Sequence, residues 1–406
     1  MRSSVFAALS LAGAVLNYAL YPVLAHILTP PEFGDFALII ALSNQILAIL
    51  LAFNVTSISL VKNNPEHVAR EKAQIIQKVL IWLFIAISIV VLILSPLIKS
   101  KLKVHDPVYF LVLAILLVIN VPAVIWTGYL QGHKSLINVG FYNFTGALFK
   151  FVMVIILGLS FGTLGALWGV LAGTLGAVGL LWFGSNIKLP NLRTLLIGLK
   201  AADKKFLSET KSYLFQSILV VGSLGFLQNI DITYAKAFFS PETAGVYSGI
   251  SVLSNAVYYV ALLVVWIILP EIDPKDEQHN RRLMLNAYKL LGLLALVVLV
   301  LEYLFKNTGA GLLLGHNFAN QGGVLIYATL FQISLIATTL YAFYLLVLRK
   351  TKALWLAISV TLPCLILPWI FNTNPSQVIL ALWLAVLIGS STYFIINTSM
   401  ETRQRG

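Results

Sequence analysis

Apolar residues run through this chain in blocks of about twenty, with short polar stretches between them. The blocks fall at 4–28, 35–61, 79–98, 108–131, 137–159 and 164–183, then at 212–238, 246–268, 284–305, 322–348, 353–371 and 377–398. A hydrocarbon core ~30 Å thick needs ~20 such residues as a helix, and only closed backbone hydrogen bonding is tolerated there. The pattern therefore predicts twelve spans, six on each side of a polar segment. The expected fold is an all-α polytopic membrane protein: a six-helix bundle over 1–183, a linker over 184–211, a second bundle over 212–398 and a tail over 399–406. Within the linker, Leu192, Leu195, Leu196, Leu199 and Phe206 recur at helical spacing, with Arg193, Lys200, Lys204 and Lys205 available to the other face. That predicts an amphipathic helix on the membrane surface. The first block outruns the ~7–15 apolar residues of a signal peptide and is read as a span, not a cleaved leader.

The two halves share an internal repeat. LTPPEFGDFALIIALSN (Leu28 to Asn44) aligns without gaps onto FSPETAGVYSGISVLSN (Phe239 to Asn255), with 6 of 17 positions identical. Pro30/Pro241, Gly34/Gly245 and Asn44/Asn255 carry the weight, because leucines and isoleucines coincide by chance in apolar helices. Each copy reads as a tight turn entering a span. Six spans separate the copies, an even number, so the halves should run parallel about an axis along the membrane normal. A central cleft between them would be the natural transport path.

Composition and charge refine this picture. The chain is 59% hydrophobic with only 10% charged residues, outside the range of soluble domains. A net charge of +12 would suit nucleic acid, but the lysines and arginines sit in loops between spans, not on one face. Of the 27 basic residues, five (Lys99, Lys101, Lys103, Lys236, Lys306) fall on the side opposite the N-terminus, Lys150 lies within a span, and the other 21 share the N-terminal side. This asymmetry predicts a plasma-membrane protein with both termini cytoplasmic; the segment 99–106 (KSKLKVHD) dissents. A lone Cys364 leaves no disulfide framework or cysteine metal site. No phosphate-binding loop, nucleophile–base pair or metal-ligand cluster is present in the sequence. The expectation is a non-enzyme without metal or cofactor, driven by a gradient or by its substrate's concentration.

Charges inside spans are costly and are the default functional candidates. Asp231, about seven residues from the outer end of span 7, is a candidate for binding a coupling proton or cation, or for gating. Lys150, near the middle of span 5, would suit a diphosphate or an acidic sugar as a point charge. Their comparable depths allow the two to pair across the cleft as part of an outer gate. Asn17, Gln228 and Asn229 are candidates to line the cleft, and Tyr258 and Tyr259 to contact sugars. Asn44 and Asn255 read as helix–helix hydrogen-bonding groups. His26 and Glu302 read as interfacial, and the eight tryptophans as an aromatic belt near span ends.

The turn HILTPPEFGDFALI, the segment NIDITYAKAFFSPETAGVYSGISVLSNAV and the connection YLQGHKSLINVGFYNFTGALFKFV resemble the polysaccharide flippases (Wzx type) of the multidrug/oligosaccharidyl-lipid/polysaccharide exporter superfamily. That resemblance implies a MATE-like fold and the flipping of a lipid-linked oligosaccharide from the inner to the outer leaflet. It also implies membrane lipids and glycan-assembly enzymes as partners. Two alternatives stand: a cation-coupled drug or metabolite antiporter of the same fold, and an integral-membrane glycan polymerase or transferase. The antiporters typically carry a carboxylate in span 1, which is missing here. The polymerases need catalytic carboxylates and usually a large outer loop, and the chain offers neither.

Overall fold

The computed structural model describes residues 2–133, 135–185, 215–273, 275–306, 308–319 and 321–405. The described residues form helices and short connections, without strands. The amphipathic helix expected within the linker, on residues 192–206, lies outside them. The chain divides into two compact units, Met1–Phe215 and Gln216–Gly406, each taken by itself below.

The first unit opens with α1 (Arg2–Ile27), α2 (Pro30–Asn63), α3 (Glu66–Leu102) and α4 (Val108–Gly132). The stretch Leu136–Ser185 that follows is a hairpin, α5 (136–160) and α6 (163–185), reversed at Phe161 and Gly162. Gly162 takes φ +58°, a conformation that a side chain would strain. Three glycines of α6 seat it on α5. A Cβ on Gly165 would fall 1.9 Å from the Leu157 carbonyl oxygen, on Gly169 2.5 Å from the Val154 Cα, and on Gly173 2.4 Å from the Lys150 Cα. Backbones this close replace side-chain interdigitation with direct helix contact, the packing that lipid-embedded helices favour. The same device joins α1 to α5, where a Cβ on Gly13 would lie 3.1 Å from the Asn143 carbonyl oxygen. It also joins α2 to α4, where a Cβ on Gly128 would fall 2.6 Å from the Asn54 carbonyl oxygen and the Asn54 amide donates to the Val124 carbonyl at 3.2 Å.

The second unit begins with a bent pair, α7 (Phe215–Leu227) and α8 (Ile230–Phe238), whose axes differ by 50°. Then come α9 (Pro241–Ile268), α10 (Glu277–Leu304), a short α11 (Gly309–Leu314), α12 (Gly322–Val347), α13 (Lys352–Ile370) and α14 (Pro375–Arg405). Helix α9 lies against α12, and α13 and α14 pair closely. Among the described residues, ten helices are long and apolar enough to cross a membrane. Counting the hairpin as two and the bent pair as one brings the described spans to twelve. Exposure sorts them: 72% of the apolar stretch of α9 is buried, against 17% for α3 and α10. Leu290, Leu293, Leu296, Val297, Val300 and Leu301 of α10 are exposed, a face only lipid can cover.

The repeat is visible as matched geometry. Thr29 and Ser240 hold the same extended conformation, φ −67°, ψ 158° and φ −65°, ψ 155°, and each precedes a proline in the first helical turn. Gly34 and Gly245 are both buried. The Glu32 carboxylate takes hydrogen bonds from the Thr29 amide and hydroxyl at 2.9 and 2.8 Å, and the Ser240 hydroxyl accepts from the Thr243 amide at 3.3 Å. Both satisfy helix N-termini that would otherwise be bare.

The structure adds to or corrects four expectations. The helix that carries span 3 begins at Glu66, ahead of the apolar block near 79, because its charged first turns extend the helix. Lys236, read as an outer-loop cation, sits in the last turn of α8 and is 1% exposed. Trp126 is not in a belt: it is fully buried in α4, its indole N–H donating to Gln77 at 3.2 Å. Glu302, expected near the interface, is half-buried two residues from the end of α10 and accepts from the Thr329 hydroxyl of α12 at 2.6 Å, which ties the two helices together. Other tryptophans, Trp82, Trp182, Trp355 and Trp369, are exposed as a belt requires.

Candidate functional site

The break in span 7 assembles a polar cluster inside the second unit. Between Leu227 and Ile230 the regular i to i−4 bonding stops, and the carbonyls it frees need partners. The Gln228 carbonyl takes one from the Gln332 side-chain amide of α12 at 3.0 Å. Asn229, at the start of α8, accepts from the Asn255 amide of α9 at 3.2 Å. Helix α8 then restarts with Asp231 in its first turn, where the helix dipole favours a negative charge.

Helix α9 supplies the other wall. Tyr247, Ser251 and Asn255 recur every four residues and so share one face, and all three are buried. The Asp231 carboxyl is fully buried. Its Oδ2 accepts from the Tyr247 hydroxyl at 3.0 Å and from the Ser251 hydroxyl at 2.5 Å. Its Oδ1 has no hydrogen-bond partner, and neither do Asn255 Oδ1 and Gln332 Oε1. Buried oxygens without donors are uncommon and call for a reason. Here one belongs to the buried carboxyl and two to amides beside it, with the Gln228 and Asn229 amide nitrogens also unpartnered among the described residues, so the cluster offers acceptors to a proton or a small cation.

The first unit carries a cation within a span. Lys150 lies on α5 where Gly173 of α6 meets its backbone. Its ammonium donates to Asn17 Oδ1 of α1 at 3.1 Å, and the Asn17 amide donates to the Gly13 carbonyl at 3.0 Å. Lys150 is half-buried and Asn17 exposed. Among the described residues the hydrogen-bond partner of this cation is a neutral amide, which orients the charge without cancelling it.

The structure thus brings Gln228, Asn229, Asp231 and Asn255 into one cluster, and Lys150 and Asn17 into another. Tyr258 is buried, its ring edge-on to that of Tyr259 at 6.1 Å, while Tyr259 is 41% exposed. Asn44 is half-buried on α2. Tyr247, Ser251 and Gln332 escaped the sequence reading. The four-residue spacing from Tyr247 to Asn255 was the available signal for two of them; Gln332 had none. Carrying the repeat back along the chain sets Asp231 opposite Leu20, Tyr247 opposite Phe36 and Ser251 opposite Ile40. The acidic cluster belongs to the second half alone.

Neither a protein-family model nor a curated protein sequence matches this chain. Solved structures do. An inward-facing multidrug-resistance MATE transporter of the MOP superfamily aligns with a TM-score of 0.71 at 14% identity, covering 96% of each chain. The lipid II flippase MurJ in an inward closed conformation aligns with a TM-score of 0.71 at 15% identity, covering 97% of this chain and 87% of that one. A MOP-superfamily transporter from Pyrococcus furiosus aligns with a TM-score of 0.56 at 17% identity, covering 100% and 92%. The chain has the MATE-like fold of these multi-pass membrane proteins.

Proposed function

We propose that this chain is a transporter that flips a lipid-linked oligosaccharide or polysaccharide repeat unit from the inner to the outer leaflet. The two halves would expose the substrate path to each side in turn, with both termini in the cytoplasm. The carrying observation is one in-span charge in each half: a lysine oriented by a neutral amide in one, and a buried carboxyl with an open oxygen in the other. Lys150, steadied by Asn17, is suited to the diphosphate or an acidic sugar of a lipid-linked glycan. Asp231, with Tyr247, Ser251, Asn229 and Asn255 around it, is suited to a coupling proton or monovalent cation. The bend at Gln228 and Asn229 gives such an ion a way to act on helix geometry, because the groups that cap the break adjoin the carboxyl. The fold shared with a lipid II flippase supports this reading without naming the glycan.

The alternative, a cation-coupled drug or metabolite antiporter, is favoured by the Asp231 cluster taken alone. Lys150 argues against a cationic drug. Reconstitution into proteoliposomes distinguishes the two, using a fluorescent lipid-diphosphate-linked sugar on one leaflet and a cationic dye in parallel. The expected result is flipping of the sugar lipid, at least tenfold slower in Lys150→Gln, and loss of its dependence on a proton or sodium gradient in Asp231→Asn. Dye exchange without lipid flipping would establish the antiporter instead.

A further inference from the structure

The segment that breaks the charge asymmetry has a defined structure. The exposed apolar residues of α3 run from Trp82 to Leu97, and those of α4 resume at Val108 and Leu111. Both faces look outward from the unit, so the chain between them crosses from lipid to headgroup and back. In that stretch inward and outward positions alternate: Lys101, Lys103 and His105 are exposed, while Leu102 and Val104 are buried. Lys103 takes the left-handed conformation, φ 52°, and its amide returns to the Lys99 carbonyl. The amide of His105 donates to the buried carboxylate of Asp35 at 2.9 Å. Two apolar plugs and a buried carboxylate therefore fix the backbone and hold the basic side chains outward. The negative end of α3 accounts for a preference for cations in its last turn, but not for continuing them to Lys103 and His105 beyond it.

We propose that residues 99–105 are a docking site for the anionic headgroups of phospholipids in the leaflet at that end of α3. The position decides the partner. The cations stand at the end of the exposed apolar surface, where a bilayer covering that surface would place its phosphates, and each lysine near such a surface adds about 1 kcal/mol of attraction, roughly fivefold in affinity. A soluble anion would gain nothing from the flanking apolar faces.

The test uses the full chain with Cys364→Ser and Ser100→Cys, labelled with a small fluorophore and reconstituted in phosphatidylcholine vesicles. Brominated phosphatidylglycerol or brominated phosphatidylcholine is then titrated in as a quencher. The glycerol lipid should quench at several-fold lower mole fraction. Lys101→Gln with Lys103→Gln should shrink that preference by about fivefold per lysine, and so should ~1 M salt on the unsubstituted loop, where screening acts within ~3 Å. The salt arm covers a variant that fails to fold. Equal quenching by the two lipids overturns the proposal, as does a preference indifferent to both salt and the lysines. Release by millimolar inorganic phosphate would overturn it too, by reassigning the loop to a soluble anion.

Discussion

One oxygen of the Asp231 carboxyl is held by two hydroxyls and the other by none, so single atoms around it have separable effects. Removing the Ser251 hydroxyl deletes a bond to a buried carboxyl, an interaction that contributes about 1.5–3 kcal/mol when the acceptor is charged. Ser251→Ala should therefore lower the thermal midpoint in detergent, and Tyr247→Phe should do so less, its bond being longer. The loss should shrink when Ser251→Ala is placed on Asp231→Asn, because the charged acceptor is already gone; a double-mutant cycle reads this coupling directly. An additive cycle would mean that the serine stabilises α9 by itself. Asp231 and Lys150 stood out in the sequence because charge within an apolar block is conspicuous. Tyr247 and Ser251 did not, since hydroxyls are common in spans and their role appears only when α8 is folded against α9.

At the level of helices, close backbone approach by glycines is the recurring device, and its positions differ sharply in tolerance. A methyl on Gly173 would meet the Lys150 Cα at 2.4 Å, whereas one on Gly179 of the same helix meets nothing within 4 Å. Gly173→Ala should destabilise by about 1–3 kcal/mol through overpacking and displace Lys150. Gly179→Ala should be neutral or stabilising by up to ~1 kcal/mol. Thermal unfolding of the two variants side by side checks the contrast, and equal midpoints would remove the glycine ladder as a structural explanation. The helices themselves were legible as apolar blocks, and the matched turns at Thr29 and Ser240 as a repeat. The break in span 7 was not. Gln228 and Asn229 are neither proline nor glycine, and the amide that caps the break comes from Gln332, 104 residues away.

For the molecule as a whole, the orientation argued from basic residues makes a labelling prediction. Cys364 is fully buried, so a Cys364→Ser background removes a residue that reagents scarcely reach. In that background Lys101→Cys should react with an impermeant maleimide on intact cells. Arg281→Cys, exposed at the start of α10, should react only after permeabilisation. The reverse result would invert the topology and move the Lys101 loop to the inner leaflet. The hairpin of α5 and α6 also bears on how the chain is made. A lone α5 carries Lys150 into the bilayer at a cost of about 2.5–3.5 kcal/mol, before anything from the second half has been synthesised. Helix α6 follows after a reversal of only two residues and seats its glycines against that same turn. The pair is therefore built to leave the translocon together. Chains truncated after residue 160 should insert their last segment less completely than chains truncated after 185, a difference that glycosylation mapping measures. The tight reversal at Phe161 and Gly162 thus bears on membrane insertion as well as on the final packing.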